Sequence, residues 1–480
     1  MLKGLFCPVL HAHLPFVKHS DKEGEIAEEW LYEGITETYI PLINVMNKLL
    51  AEGVDFRLTL SISPTLAEML ADSLLQKRYK KYLEKSIRLS EKELNRTKSE
   101  PAKHKLAELY QHLLKESYYT FHHKYKDNLL NAFKEISKSN KLELITTAAT
   151  HGYLPLLLTE EAVAAQIKVG LKTFKKHFGQ KAAGFWLPEC GYRPELDKHL
   201  NNNNLKYSFL SSRGLLNSRP RPGYGLYAPI ITPAKVAIFG RDRDSSKEVW
   251  SSDEGYPGDY NYREFYRDIG YDLDYQYLKP YLPQGLRKDT GFKYFKITGR
   301  DDYKEVYDYQ AARRKAAEHA EDFIQKRLKQ CFYLNKILDR LPIIVSPYDA
   351  ELFGHWWYEG PIWLEYLFKK IDSKYSNIKA VTPDEYLEIY PENQPAVAAE
   401  SSWGYKGYHE VWLNGKNDWI YRHLHEAELI MIKTVDRYRK KSENNTLLQR
   451  KLNQMARELL LAQSSDWPFI IKTGTMDDYA

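Results

Sequence analysis

Two short apolar runs each end on an acid. Gly184-Phe185-Trp186-Leu187-Pro188 leads to Glu189, and Ile343-Ile344-Val345-Ser346-Pro347-Tyr348 leads to Asp349, with Glu351 two residues on. Such runs read as buried strands, and a proline at the end of each marks where the ladder stops. An acid at the end of a buried strand lies on the rim of a sheet or barrel, where α/β folds keep their active sites. Two carboxylates meeting there can divide the roles of nucleophile and general acid that glycosidic-bond chemistry requires. Taken singly, either acid can also be an ordinary strand-end charge.

Histidines gather at similar positions. His11 and His13 close the first apolar run, and their i,i+2 spacing turns both imidazoles to one face; His151 follows a later strand in the same way. Three histidines at one rim suit zinc, as in a carbohydrate deacetylase, or hydrogen bonds to sugar hydroxyls, or plain core packing. No carboxylate completes a ligand set with recognisable spacing. The segment from Arg241 to Phe265, rich in glycine, proline and aromatics, reads as a long ordered loop. Its Asp244 and Asp259 compete with Asp349 for the acid role, although ion pairs that stiffen the loop are the expected task of both. His355-Trp356-Trp357 beyond Asp349, and Trp403 and Trp412 beside Gly404 and Gly407, read either as core or as stacking surfaces for sugar rings.

These residues need a scaffold. Strands are expected at Leu5–His11, Phe56–Ile62, Leu142–Ala148, Ala183–Leu187, Tyr207–Leu210, Val236–Phe239 and Ile343–Val345, many separated by helical patterns, the alternation of a parallel α/β sheet or barrel. A charged, Leu-rich stretch over 66–138, broken near Pro101, reads as a helical insertion. From Ala311 to Leu341 apolar positions including Phe323, Cys331, Ile337 and Leu341 trace one helical face, which Pro342 ends. After Pro395 the patterns Asp418–Lys440 and Thr446–Ala462 are helical with no strand between them. The expected organisation is a catalytic region over 1–395 and a helical region over 396–480.

The 480 residues are 43% hydrophobic and 14% aromatic, with 37 Tyr and 10 Trp, an excess that suits a carbohydrate groove as well as core or interface. The net charge of +6 sets 70 basic against 64 acidic residues, and no arginine-rich tract points to nucleic acid. The 3 cysteines (Cys7, Cys190, Cys331) form no CxxC pair, as expected for a reducing compartment. The N-terminus runs straight into His11 without a cleavage site, and no apolar run reaches the roughly eighteen residues of a membrane span, so a cytoplasmic monomer or small homo-oligomer is expected.

The string His11-Ala12-His13-Leu14-Pro15, Thr150-His151-Gly152, Trp186-Leu187-Pro188-Glu189, Tyr348-Asp349-Ala350-Glu351-Leu352-Phe353-Gly354-His355-Trp356-Trp357 and the segment Trp403 to Trp412 resemble the five signature regions of glycoside hydrolase family 57. The segment from Arg241 to Arg267 resembles the 1,4-α-glucan branching enzymes of that family more than its amylases or 4-α-glucanotransferases. The resemblance implies a (β/α)7 barrel with a helical insertion and a C-terminal all-helical domain. It implies a retaining transglycosylase without cofactor or metal, acting on amylose, amylopectin or glycogen, with Glu189 as nucleophile and Asp349 as general acid/base. His11, His13 and His151 would then hold the reacting sugar, and Trp250, Trp357, Trp403 and Trp412 would line the glucan path. Tyr224, in Gly223-Tyr224-Gly225, would sit on a gate loop. Branching enzymes of the family continue beyond a stretch like Trp467-Pro468-Phe469-Ile470-Ile471, where this chain reaches Ala480.

Overall fold

In the computed structural model the residues described are 1–19, 26–299 and 303–475. The strands are β1 (Gly4–Ala12), β2 (Leu58–Ile62), β3 (Leu142–Thr147), β4 (Gly184–Trp186), β5 (Tyr207–Leu210), β6 (Ile230–Ile231), β7 (Ala237–Gly240), β8 (Ile343–Asp349), β9 (Ile378–Ala380) and β10 (Gln394–Pro395). Seven of them, in the order β8-β1-β2-β3-β4-β5-β7, pair in parallel. A parallel bridge between Arg241 and Val345 joins β7 back to β8, with the Asp242 amide donating to the Val345 carbonyl at 2.8 Å. That contact closes a (β/α)7 barrel. The three short strands lie outside the ring: β9 covers the lower edge of β1, and β6 and β10 extend from β7.

Burial explains why the barrel strands were visible as unbroken apolar runs. All nine residues of β1 are buried, because the barrel interior lies on one side and helices on the other. The helix Glu160–Phe178 shows the fit. Thr159 caps its first turn, Gly179 ends it at φ 72°, and mid-helix Gly170 lies where a Cβ would come within 2.3 Å of the Thr147 carbonyl. Glycine here lets the helix touch β3.

The insertion is an antiparallel pair, Ser73–Arg96 and Pro101–Tyr118, with Pro101 at the start of the second helix. Helix Tyr309–Leu334 buries Phe323 and Cys331 as expected but ends early, leaving Ile337 62% exposed in the loop before β8. The loop between β7 and that helix is pinned by Asp268, which accepts from the amides of Gly270, Thr290 and Gly291. Past Trp403 come the helices Trp419–Ser442 and Thr446–Ala462. A short helix, Asp466–Thr473, then returns the chain to the barrel, where the Ser465 amide donates to the His151 carbonyl at 3.0 Å. Among the described residues no helix is long and apolar enough to cross a membrane.

Trp357 differs from its expected place. It is 1% exposed, packed among Tyr262, Phe353 and Trp363, and belongs to the core instead of a glucan path. Trp357→Ala is therefore expected to cost about 3–5 kcal/mol in urea unfolding.

Candidate active site

The strand register sets the first layer. His11 pairs across the ladders with Ser61 on β2 and with Asp349 on β8, so these side chains point to the same inner face at the C-terminal rim. The His11 ring stacks on Trp186 at 4.7 Å and 12°, and β4 continues from that tryptophan into the turn carrying Glu189. Glu189 adopts φ 59° and Cys190 φ 48°, and His151 on the neighbouring turn adopts φ 57°. Left-handed backbone at side chains of this kind costs energy and marks places where the surroundings dictate geometry.

Glu189 is held by three elements. The Trp403 indole N–H donates to Oε2 at 2.7 Å, the Ser465 hydroxyl donates to Oε1 at 3.2 Å, and His151 Nδ1 lies 3.7 Å from the same oxygen. Burial pushes its carboxyl up to about 7, against the Trp403 hydrogen bond that lowers it. Asp349 is raised to about 6, again by burial, with Arg241 and His13 opposing. Glu351 is raised by burial to about 7 while accepting from the Tyr39 hydroxyl at 2.5 Å and the His13 amide at 3.1 Å. Close carboxylates titrate as a group, and the donors decide which member keeps the charge. Glu189 has two side-chain donors, whereas no described residue donates to the Asp349 carboxyl. The donors favour the charged form of Glu189, yet burial leaves its carboxyl at about 7 against about 6 for Asp349, so Glu189 takes up a proton first, and a division of roles with Glu189 as the anion needs that proton to pass to Asp349.

The histidines form one stack. His13 and His151 have ring centroids 3.9 Å apart, and His11 Nε2 meets His151 Nε2 at 2.9 Å. Burial lowers His11 and His151 well below the ordinary imidazole range, so both are neutral. Burial also lowers His13, but Asp466 at 3.1 Å outweighs it, and the net shift is upward. Against its own burial, His13 holds Asp466 down to about 2. The cluster thus carries its positive charge on His13, whose Nδ1 is buried without a protein partner. Among the described residues no group of three or more His, Cys, Asp or Glu side chains could hold a metal ion.

The other expected residues scatter. Trp412 is 1% exposed and stacked on Tyr153 at 4.5 Å and 15°, in the wall behind the site. Trp250 is 62% exposed at the end of helix Arg243–Trp250, where Asp244 is exposed too. Asp259 accepts from Asn261 and faces His319 at 3.5 Å, so it braces its loop. Tyr224 sits at the opposite end of the barrel. Its hydroxyl donates to Asp339 and its ring lies under Arg340, both in the loop entering β8, away from the catalytic rim. Residues that bear on the site without having been singled out are Asp466, Ser465, Tyr39 and Arg241, whose guanidinium lies 5.1 Å over the Trp403 ring. The cluster Ser464-Ser465-Asp466 directly after a helix was the available signal for the first two.

A closed parallel barrel with buried paired acids, a tryptophan donor and neutral histidines at its C-terminal rim defines a glycoside-transforming enzyme. The comparisons place it further. The profile of glycosyl hydrolase family 57 matches residues 8–399, and that of the 1,4-alpha-glucan branching enzyme C-terminal region matches 423–480. The chain belongs to glycosyl hydrolase family 57. A 1,4-alpha-glucan branching enzyme of Thermococcus kodakarensis is 34% identical over 100% of this chain and 71% of its own. The crystal structure of the α-amylase AmyC from Thermotoga maritima superposes with TM-score 0.91 at 44% identity, covering 99% of this chain and 90% of that one. That of a GH57-type branching enzyme from Pyrococcus horikoshii superposes with TM-score 0.89 at 33% identity, covering 100% and 87%.

Two measurements probe this geometry. Trp403→Phe removes the donor that lowers the Glu189 pKa, so the acid limb of kcat/KM should move to higher pH. Asp466→Asn leaves burial to dominate His13, so its pKa, followed by NMR, should fall below the ordinary histidine value of about 6.5. Activity should fall with it, roughly tenfold or more, as the C-terminal helix loosens from the rim.

Proposed function

We propose that this chain is a 1,4-α-glucan branching enzyme working by retaining double displacement. The observation that carries the reading is that the C-terminal region matching the branching-enzyme profile supplies Ser465 and Asp466 to the catalytic cluster itself. Ionised Glu189 attacks the anomeric carbon of an internal α-1,4 linkage while protonated Asp349 gives its proton to the departing oxygen. A covalent glucosyl-enzyme and a free chain end result. Asp349, now a base, takes the proton from the 6-hydroxyl of an acceptor glucan, whose oxygen displaces Glu189 and forms the α-1,6 branch. Two inversions leave the α configuration. His13 Nδ1, buried and without a protein partner, is left to donate to a sugar hydroxyl, while neutral His11 and His151 bond to each other and to the Ser61 and Ser465 hydroxyls and so fix the stack beside it without adding charge. No step calls on a metal.

Water competes with the acceptor, so the closure of the site decides the product. The Asp466–His13 and Ser465–Glu189 contacts hold the C-terminal helix over the rim and favour transfer. A gate role for Tyr224 requires its loop to leave Asp339 and Arg340 and cross to the other end of the barrel. The second reading is an α-amylase, favoured by the 44% identity to AmyC.

Incubation with amylose, with proton NMR of new α-1,6 linkages set against released reducing ends, separates the two. Branch linkages should outnumber reducing ends, and the reverse ratio makes the chain an amylase. Glu189→Gln, nearly isosteric, should stay folded and lose activity by at least about a thousandfold, while chelator treatment of the unaltered protein should leave activity unchanged.

A further inference from the structure

A cavity of about 370 Å³ lies on the flank of the barrel, outside the catalytic rim. Its walls come from the segment Glu33 to Lys48, insertion helix Pro101–Tyr118, the loop carrying Arg263 and Lys293, and helix Gly360–Lys374. One segment separates it from the acids. The π-helix Gly34–Tyr39 turns Tyr39 inward to Glu351, while Thr36 and Glu37 on its other face line the cavity. π-Helical turns occur mostly at functional sites, and this one has a different environment on each face.

The lining chemistry narrows the ligand. Most of its charges are compensated within the protein: Glu37 pairs with Arg263 at 3.0 Å and His355 at 2.8 Å, Lys48 with Glu365 at 2.7 Å and Lys293 with Asp289 at 3.5 Å, while Arg313 and Glu116 on the walls have no ion-pair partner among the described residues. With one spare cation and one spare anion the lining has no net preference for a charged ligand. Aromatic side chains also line the walls, Tyr110, Phe292 and Tyr358, the last with one face under the Arg263 guanidinium at 3.7 Å. Polar groups remain as well. The Tyr358 hydroxyl is buried without a hydrogen-bond partner, and Glu33, raised by burial to about 7, meets Lys288 only at 3.8 Å. Compensated charge, ring faces and spare hydroxyl and carboxyl groups suit a neutral, polyhydroxylated ligand with apolar ring faces. Beside the cavity stands a platform of matching chemistry. Trp356, 57% exposed, stacks on Phe265 at 4.8 Å and 22°, and Phe265 in turn touches the lining residues His355 and Lys293.

We propose that this cavity, with the Trp356–Phe265 stack at its side, is an accessory non-catalytic site for a short end of a neutral α-glucan. The identity of the ligand rests on the glucan reading above. The location rests on the cavity alone. A chain end held here would leave the rest of the same glucan tethered near the catalytic rim and raise its local concentration there.

The test is calorimetric titration of maltotriose into full-length Glu189→Gln protein, alone and combined with Leu113→Trp, which places an indole into the cavity wall from the insertion helix. The expected result is two sites per chain in the first protein and one in the second, the remaining Kd unchanged within about twofold. A single site in Glu189→Gln, or two sites persisting in folded Leu113→Trp protein, overturns the proposal. Should Leu113→Trp fail to fold, Trp356→Ala on the surface serves instead. It should weaken the second site about tenfold, and unchanged binding counts against the proposal equally. The unaltered enzyme is assayed on amylose in parallel. Branch formation with a single maltotriose site sinks the cavity proposal alone, and two sites without branch formation sink the branching reading alone.

Discussion

The molecule is organised around acidic groups that have been taken out of water at one end of a barrel. Glu189, Asp349 and Glu351 all ionise less readily than free carboxyls because burial disfavours the charge. That penalty is borne by the rest of the fold, and it explains the neighbours. Trp403, Ser465, Tyr39 and the His13 amide donate to the group, while Arg241 and charged His13 offset its field. Adjacent His11 and His151 stay neutral, because a second buried cation next to His13 would be as costly as a second buried anion. The result is a site whose acids take up protons close to neutral pH, with fixed dipoles already aimed at them, the kind of preorganisation that lowers a barrier without rearrangement.

Much of this was legible in the chain. Each of the seven barrel strands lies where an apolar run predicted it, with ends that coincide or shift by at most four residues, because strands buried on both faces leave no polar interruption to misread. The acids were legible for the same reason, as the first charges after buried runs. Tryptophan roles were not. Trp356 and Trp357 are adjacent, yet one is 57% exposed and the other 1%, since the turn through Gly354 rotates them to opposite sides. No periodicity exists in such a turn to tell them apart. Asp466 was hidden by distance: its partner His13 lies 453 residues away in sequence, and nothing local marks a salt bridge formed only when the last helix returns to the first strand.

The C-terminal region therefore has two characters. Its long helices, Trp419–Ser442 and Thr446–Ala462, bury few side chains and act as an arm. The segment after them is catalytic architecture, because Gly152 bridges Ser464 and the Ser465 amide is bonded to the His151 carbonyl. Reach comes from the arm, and chemistry from its tip. A chain truncated after the long helices would keep its barrel and lose both the Ser465 donor to Glu189 and the Asp466 partner of His13.

The left-handed backbone at Glu189, φ 59°, the nucleophile in the mechanism proposed above, has a consequence for reuse of this scaffold. Enzymes whose nucleophile has been deleted can be supplied with activated sugar donors and made to build linkages they can no longer cut. The usual deletion is to alanine, which would keep the strained backbone while discarding the hydrogen bonds that hold it. Glycine has no such penalty and would relieve strain on the order of 1 kcal/mol at the same position. At this turn the smaller residue is the sturdier one, so a synthetic catalyst made from this barrel is better begun from Glu189→Gly than from Glu189→Ala.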